Sequence, residues 1–220
     1  DATVVPMGLY YLAAQVMNAG FEAAILNLAQ ADVTDPEAAF AAVVESEHPD
    51  LIGFSVTNPA RFSAMSLART ARQMRPTSVI VFGGPAPTFM ADYFFSFCPA
   101  LDFIITGEGE QTCLALVQTL AERAGKTDQK TNPDISQIPG LVFRDGNSIK
   151  HTGPAPLIQD LDQLVHPSRY FAFQHLAMSR GCPGACTFCG SPLFWGTRRV
   201  RFHSPEWFFS LIRQQKGQFC

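Results

Sequence analysis

Three cysteines lie within a single short segment, Cys182-Pro-Gly-Ala-Cys186-Thr-Phe-Cys189. Cysteine thiolates ligate iron–sulfur clusters, and four of them would saturate the four irons of a cubane. Three cysteines in the order C-x3-C-x2-C allow one loop to wrap a [4Fe–4S] cluster and leave one iron without a protein ligand. The residues Gly181, Pro183, Gly184 and Gly190, within and beside this segment, suit a loop that bends tightly around a bulky group. The segment therefore predicts a cluster site.

Other chemistry is open to the same cysteines. Structural zinc takes four ligands, usually as two pairs, and no second pair is visible nearby, with His175 and His203 the only histidines close in sequence. A reactive thiol group is another interpretation. The remaining cysteines, Cys98, Cys113 and Cys220, are scattered, so the arrangement indicates ligand spacing and not a disulfide framework.

The elements that must position the loop follow from the hydrophobic pattern. From Gly8 to Ala124 the chain alternates amphipathic helices with short apolar runs, which predicts an α/β fold with a doubly wound parallel sheet. The predicted strands are Ala23–Leu28, Leu51–Val56, Val79–Phe82 and Phe103–Thr106. The predicted helices are Gly8–Ala19, Asp35–Glu47, Arg61–Met74, Thr88–Phe97 and Gln111–Ala124. Asp35 is expected as the N-cap of the second helix, with Pro36 at its first position.

Three units are predicted: an α/β domain over 1–125, a hairpin and linker over 126–170, and a region over 171–220 that holds the cysteines. The hairpin pairs Gly140–Arg144 with Ser148–Lys150, after a polar loop over 126–134. An apolar strand, Phe173–Met178, is expected to enter the cysteine loop, and a helix capped by Ser204 to leave it. The chain is expected to be a fragment at both ends. Residues after 170 are expected to be disordered or covered by a partner chain, because Trp207, Phe208, Phe209 and Leu211 would be exposed.

Composition excludes several classes of partner. Hydrophobic residues make up 47% and charged residues 16%, with 16 Lys and Arg against 19 Asp and Glu. A slightly acidic globular chain of this kind has no character for binding nucleic acid. No run approaches the roughly 20 apolar residues of a membrane span, and the N-terminus lacks the layout of a signal peptide. The expected compartment is the cytoplasm, with no membrane contact.

Small and polar residues follow the predicted strands. Ligands of open parallel sheets bind beyond the carboxyl ends of the strands. Tight turns also favour glycine, so the residue types alone leave both interpretations open. Glu108 and Glu110 could act as an acid–base pair, cap a helix or bond a ligand. The candidate cofactor-binding residues at these ends are Ser55, Thr57, Asn58, Gly83, Gly84, Pro85, Thr88, Gly107, Glu108, Gly109 and Glu110.

The segment from Phe173 to about Gln215 resembles the radical S-adenosylmethionine (SAM) superfamily. The resemblance implies that Cys182, Cys186 and Cys189 bind the cluster, that SAM is a second cofactor, and that Phe188 lies against its adenine. Gly190 is included among the implied cofactor-binding residues. This segment would be the first βα unit of a truncated partial (β/α)6 barrel. The fragment alone is then expected to be inactive, and no catalytic residue is assignable beyond the cluster ligands.

Nearly the whole chain, taken in order, resembles enzymes that carry a cobalamin-binding domain ahead of a radical SAM barrel. The matching pieces include Pro49-Asp-Leu-Ile-Gly53, Gly83-Gly-Pro-Ala-Pro-Thr88, Gly107-Glu-Gly-Glu110 and Arg201-Phe-His-Ser-Pro-Glu206. The resemblance implies a flavodoxin-like (Rossmann-like) domain that binds cobalamin. In other cobalamin-binding domains the histidine of a D-x-H-x-x-G motif ligates the cobalt. This motif does not occur in the sequence, so the resemblance implies cobalamin bound without a histidine ligand. The nucleotide tail would lie along 83–88 and 107–110.

The implied reaction is radical methyl transfer, or a radical rearrangement or cyclisation, on an unknown small-molecule or peptide substrate. A reductant such as flavodoxin or ferredoxin is expected as a partner. Two alternatives stay open: a cobalamin or corrinoid carrier module with a structural metal-binding cysteine loop, and a zinc- or thiol-based regulator. Arg198, Arg199 and Arg201 either face an anionic ligand or form a solvated approach to the next helix.

Overall fold

The computed structural model describes residues 5–29, 33–124, 134–173 and 175–214. Within these ranges the chain forms a mixed five-stranded sheet in the spatial order β1-β2-β3-β4-β5. The first three strands run parallel, and a hairpin of two further strands adds to β3 in antiparallel orientation. The strands are β1 (Leu51–Ser55), β2 (Val79–Gly83), β3 (Phe103–Ile105), β4 (Leu141–Asp145) and β5 (Ser148–His151).

Eight α-helices occur in the described ranges, and a second, two-stranded sheet pairs β6 (Ser179–Arg180) with β7 (Arg201–Phe202). Short 3-10 turns lie at Ile135–Gln137, Leu161–Gln163 and Pro167–Arg169. The α-helices are α1 (Met7–Asn18), α2 (Pro36–Glu47), α3 (Arg61–Met74), α4 (Pro85–Phe89), α5 (Ala91–Phe97), α6 (Glu110–Ala124), α7 (Ser191–Trp195) and α8 (Pro205–Gln214). None of them has the length and apolar character that crossing a membrane requires.

Alternating side chains of the strands enter two separate cores. Ile80 and Phe82 of β2 join a core with residues of α2, α3 and α5, whereas Val81 between them joins a second core with Leu116 of α6. Successive side chains of a strand point to opposite faces, so both faces of the sheet are covered by helices. The α/β, flavodoxin-like prediction is confirmed in this respect.

Most of the predicted elements are present. Asp35 caps α2 by accepting hydrogen bonds from the backbone N–H groups of Glu37 and Ala38, and Pro36 occupies the first helical position. Helix α3 begins and ends where predicted. The predicted helix Thr88–Phe97 is instead two short helices, α4 and α5, that meet at Met90.

Two predicted strands are wrong. The segment Ala23–Leu28 is irregular, and its Leu26 and Leu28 pack against the first core without pairing to the sheet. In Phe173–Met178 the described residues form no strand, and pairing begins only at Ser179. Both runs are apolar because they contact a core, and apolar character alone does not specify a ladder partner.

The region after the third strand also differs from expectation. The predicted hairpin exists, but it extends the sheet of the α/β domain, since β4 pairs with β3 at Ile104 and Val142. The polar loop over 126–134 lies almost entirely outside the described residues. The tail is partly covered by its own chain: Leu211 is buried, whereas Phe209 is 57% exposed.

Candidate functional site at the sheet edge

The ladder of β6 and β7 lies at the base of the cysteine loop, because β6 precedes the loop and β7 follows it. Ser179 pairs with Phe202, and Arg180 lies opposite Arg201. We call this two-residue ladder the neck. Residues 181–200 form the loop between its strands, which includes helix α7.

The three cysteine thiols are free and accessible. Cys182 is half-buried, and Cys186 and Cys189 are exposed. In the described residues no three Cys, His, Asp or Glu side chains lie close enough to hold a single metal ion. A cubane offers a separate iron to each cysteine, so its ligands need not converge on one point.

Details of the loop fit a cluster bound by thiolates. A Cβ on Gly184 would lie 3.4 Å from the Sγ of Cys182 and 3.7 Å from the Sγ of Cys186, so the missing side chain keeps space open between the two sulfurs. The backbone N–H of Ser191 donates to the Sγ of Cys189 at 3.4 Å. An N–H donor lowers the cost of a negative sulfur. The donor set and its surroundings therefore suit an iron–sulfur cluster.

Helix α7 rests against the carboxyl edge of the parallel strands. The rings of Phe89 in α4 and Phe194 in α7 meet edge to face, with centroids 6.4 Å apart. The Cβ position of Gly190 lies 3.2 Å from Cε2 of Phe89, so the backbone of the loop approaches this ring closely and a side chain here would have to displace it. The cysteine loop is thus placed over the edge at which ligands of open parallel sheets bind.

A cavity of about 550 Å³ lies between the edge and α7. Its floor includes Thr88 and Gly107 of the predicted edge, and its roof includes Leu193 and Phe194. The volume falls in the range of pockets that hold a drug-sized group. The cavity can therefore take one arm of a large cofactor.

The other predicted edge residues take different places. Ser55, Thr57 and Asn58 are exposed after β1. Gly84 has a positive φ of 94°, and a Cβ there would lie 3.1 Å from the carbonyl oxygen of Val56, so its glycine is required by turn packing. Among the residues given above as cofactor candidates, the cavity brings together Thr88, Gly107 and Glu108.

The hydroxyl of Thr88 connects two of the turns. It donates to the carbonyl oxygen of Gly84 at 2.8 Å and accepts from the backbone N–H of Gly107 at 3.1 Å. Thr88 therefore fixes the spacing between the turn after β2 and the turn after β3. Any ligand in the cavity would meet a preformed floor.

Glu108 and Glu110 are buried and paired with the two neck arginines. Arg201 binds Glu108 with two nitrogens, Nη1 to Oε2 at 2.7 Å and Nη2 to Oε1 at 2.9 Å. The Nη1 of Arg180 lies 3.2 Å from Oε1 of Glu108 and 2.6 Å from Oε1 of Glu110. Arg201 Nη1 also donates to the carbonyl oxygen of Ile158. A two-pronged Arg–carboxylate pair is geometrically specific as well as strong.

The electrostatics of this cluster follow from its burial and its charges. Burial raises the pKa of Glu108, but hydrogen bonds from Arg201 and from the N–H of Ile158, together with the charge of Arg201, outweigh it and hold that pKa below the ordinary value. Burial lowers the pKa of Arg180, and the two glutamates more than reverse this. Glu108 and Arg180 are therefore both charged at neutral pH.

Comparison with known proteins identifies the chain. The family described as the B12 binding domain matches residues 1–117. The chain belongs to the B12-binding domain family. The family is flavodoxin-like, in agreement with the fold above.

Several curated relatives match the B12-binding domain together with the segment that follows it. An "Uncharacterized methyltransferase" of Pyrococcus horikoshii is 32% identical, covering 91% of this chain and 43% of the relative. An "Anaerobic magnesium-protoporphyrin IX monomethyl ester cyclase" of Synechocystis is 30% identical, covering 89% and 40%. This chain spans about two fifths of the length of these relatives.

A solved structure shares the fold. The radical S-adenosylmethionine methyltransferase TsrM from Kitasatospora setae, with cobalamin and a [4Fe–4S] cluster bound, superposes with a TM-score of 0.73 at 16% identity, covering 98% of this chain and 43% of TsrM. The resemblance to cobalamin-dependent radical SAM enzymes is confirmed by the family and these relatives together.

The contacts around the B12-binding domain revise the interpretation of the arginines. Arg198 and Arg199 are exposed, as the solvated interpretation predicted. For Arg201 that interpretation is wrong, because the residue is 8% exposed and bound to Glu108. The carboxylates of Glu108 and Glu110, expected as cofactor contacts, are engaged by arginines of the same chain.

The start of α8 shows a second arrangement that the sequence analysis missed. Nδ1 of His203 lies 3.0 Å from Oδ1 of Asp162, and its ring stacks on Trp207 with centroids 3.5 Å apart. Ser204 accepts from the N–H of Trp207 at 3.1 Å, which confirms it as the N-cap of α8. Asp162 also accepts from the N–H of Ser204, so one carboxylate of the connector fixes where α8 begins.

Proposed function

We propose that this chain binds a [4Fe–4S] cluster through Cys182, Cys186 and Cys189, and cobalamin at the carboxyl edge of its parallel strands. It would be the cofactor-binding part of a radical SAM methyltransferase. The observation that carries the proposal is the docking of α7 on α4, because it places the cysteine loop over the edge that the B12-binding domain presents.

Each cofactor has residues that suit it. The free thiols, the space kept by Gly184 and the N–H donated to Cys189 favour a cluster. The cavity beside Thr88 and Gly107 suits one arm of cobalamin. A cluster held by the three cysteines would, together with SAM, supply a carbon radical, and cobalamin held at the sheet edge would supply a methyl group. The protein's own contribution is to orient both groups and to hold the loop against the edge.

The names of the relatives support two types of reaction. Relatives named as methyltransferases support methyl transfer, and the relative named as a cyclase supports radical cyclisation as a second candidate. Phe188 is 91% exposed beside Cys189 and is proposed to meet the SAM adenine. SAM, the substrate and a reductant such as flavodoxin or ferredoxin belong to this proposal for the whole enzyme.

The cluster is tested by anaerobic reconstitution of the chain with iron and sulfide. We expect about four irons and four sulfides per chain and a reduced cluster signal by electron paramagnetic resonance. Cys182→Ser, Cys186→Ser and Cys189→Ser should each lose them. Cys113→Ser, in α6, is the matched control and should keep them. Stoichiometric zinc without sulfide would contradict the proposal and favour the regulator alternative.

Cobalamin binding is tested separately with hydroxocobalamin and its visible absorbance after gel filtration. Leu193→Trp should narrow the cavity and weaken binding about tenfold or more. Phe209→Trp makes a similar change on an exposed face of α8 and should have no effect. Retention of cobalamin without any cluster would favour the carrier alternative. Equal binding by both variants would remove the cavity from the proposal.

A further inference from the structure

The neck of the cysteine loop contains an unfavourable pair. Arg180 and Arg201 lie directly opposite each other on antiparallel strands. Like charges in this position destabilise a ladder. The neck has only two residue pairs, Ser179–Phe202 and Arg180–Arg201, so half of the ladder carries this repulsion.

Hydrophobic burial does not hold the loop in place. None of the residues from 181 to 200 is buried. Helix α7 contacts α4 through Phe194 and Phe89, but Leu193 beside this contact is 78% exposed. The neck therefore has to be held closed by something other than a core under the loop.

The turn between β3 and α6 supplies the missing charges. Glu108 is paired with both neck arginines, and Glu110 is paired with Arg180. Two buried carboxylates face the buried guanidinium group of Arg201 and the half-buried one of Arg180, so the charges balance only when all four are present. Removing one partner of a buried pair leaves an uncompensated buried charge.

We propose that Glu108 and Glu110 are positioning residues: their charges close the neck and thereby set the place of the cysteine loop over the sheet edge. The function of the loop rests on the proposed function above, whereas closure of the neck does not. Neither carboxylate needs to touch a cofactor in this role. The sequence motif Gly107-Glu-Gly-Glu110 would then serve the cysteine loop, which begins 71 residues after Glu110.

Hydrogen exchange of the cofactor-free chain tests closure directly. In Glu108→Gln, an amide replaces the carboxylate at nearly equal size and leaves Arg201 buried without its counter-charge. We expect peptides within 179–202 to exchange roughly ten- to a hundredfold faster than in the unmodified chain. Peptides of α3 (Arg61–Met74) should exchange at the same rate, because their core is not altered.

A double-mutant cycle distinguishes charge pairing from a loss of shape. Arg201→Gln alone should accelerate hydrogen exchange of the neck, as Glu108→Gln does. The neck of the double variant should exchange more slowly than the neck of either single variant, because neither charge is left unpaired. Asp102→Asn is the matched control, since it breaks the Arg72–Asp102 pair inside the α/β domain. It should leave exchange of the neck unchanged.

Two results would overturn the proposal: unchanged exchange of the neck in Glu108→Gln, or equal acceleration in the neck and in α3. If Glu108→Gln loses its far-ultraviolet circular dichroism, the variant is unfolded and the double variant is used to test the proposal. A folded double variant with a protected neck would support charge pairing. An unfolded double variant would overturn it. Failure of the chain to take up iron would contradict the proposed function, but it would not change the conclusion drawn from hydrogen exchange of the neck.

Discussion

The α/β domain and the cysteine loop are held in place by opposite means. In the domain, Ile80 and Phe82 are fully buried between helices, and ring contacts connect Phe54, Phe82 and Phe94. In the loop, none of the residues 181–200 is buried, and the loop is held in place by the arginines of the neck and by the contacts of Gly190 and Phe194 with Phe89 of α4. Apolar packing fixes the domain as a whole, whereas directional pairs fix the loop at its base.

This difference suits what each region is proposed to do. A core stabilises by burying apolar area and has little tolerance for movement. A loop that receives a cluster needs accessible thiols, so its cysteines cannot be packed into a core. Ion pairs at the neck can hold such a loop in one place while the cysteines stay open to solvent.

The largest effect is expected from the core. Phe82→Ala removes a fully buried ring that contacts Phe54 and Phe94. We expect the free energy of unfolding to fall by about 3–5 kcal/mol, measured by urea denaturation with circular dichroism. Phe188→Ala is the control in the loop, where the ring is 91% exposed, and its effect should stay within about 0.5 kcal/mol. A large loss from Phe188→Ala would show that the loop has a core of its own.

Two glycine substitutions compare strain in the two regions. Gly84 and Gly181 have φ of 94° and 107°, and an added Cβ would meet the backbone of Val56 and of Arg199 respectively. Each alanine should introduce strain of about 1–3 kcal/mol. Gly84→Ala should lower the urea midpoint of the whole domain. Gly181→Ala should leave that midpoint nearly unchanged and accelerate hydrogen exchange of the neck. A shared loss of the midpoint would mean that neck and domain unfold together.

The sequence predicted elements whose signals are local. Asp35 with Pro36 marks the start of α2, and the amphipathic stripe of α3 gives both of its ends. The segment Ala23–Leu28 was placed wrongly because its pattern shows burial without showing a pairing partner. For the same reason the hairpin was found, but its attachment to β3 was not.

The residues of the candidate site show the same contrast between local and long-range signals. The cysteine spacing is a local signal, and the predicted ligands lie together in one loop. The pair Glu108–Arg201 joins residues 93 positions apart. Nothing in the residues around either position specifies the other, so Glu108 was assigned to a cofactor and Arg201 to solvent or an anion. A buried charge found in one place should prompt a search for its partner.

The buried His203, just before α8, predicts that the stability of the fold depends on pH. Burial lowers the pKa of His203 below 6.5, although Asp162 acts against this. The unfolded chain then binds a proton first as pH falls, so stability is complete above about pH 6.5 and declines below it, by at most about 1.4 kcal/mol per pH unit for one proton. His203→Asn should reduce the slope between pH 7.5 and 5.5. Part of the slope should persist, because burial also lowers the pKa of His166. An unchanged slope would assign the whole effect to other groups.

The smallest effect is expected from Tyr11→Phe, at a residue that packs in a core and also contacts an arginine of the neck. Its ring lies in the core beside the connector and carries the guanidinium of Arg180 at 5.1 Å, while its hydroxyl is buried and makes no hydrogen bond within the described residues. Burial raises its pKa to about 12, so the phenol stays neutral. Tyr11→Phe keeps the ring and removes an unsatisfied group, and should be neutral or stabilising by up to about 1 kcal/mol in urea denaturation.

Tyr11→Leu sharpens the same test, because it removes the aromatic face under Arg180 while keeping an apolar side chain. It should cost about 1–2 kcal/mol and accelerate exchange of the neck, since Arg180 would lose one of its supports. If Tyr11→Phe proves as costly as Tyr11→Leu, the hydroxyl has a role in the ion-pair network beside Glu110. Tyr11 of α1 would then hold the loop together with the two glutamates. This one side chain would act both by apolar packing of its ring and by polar pairing of its hydroxyl.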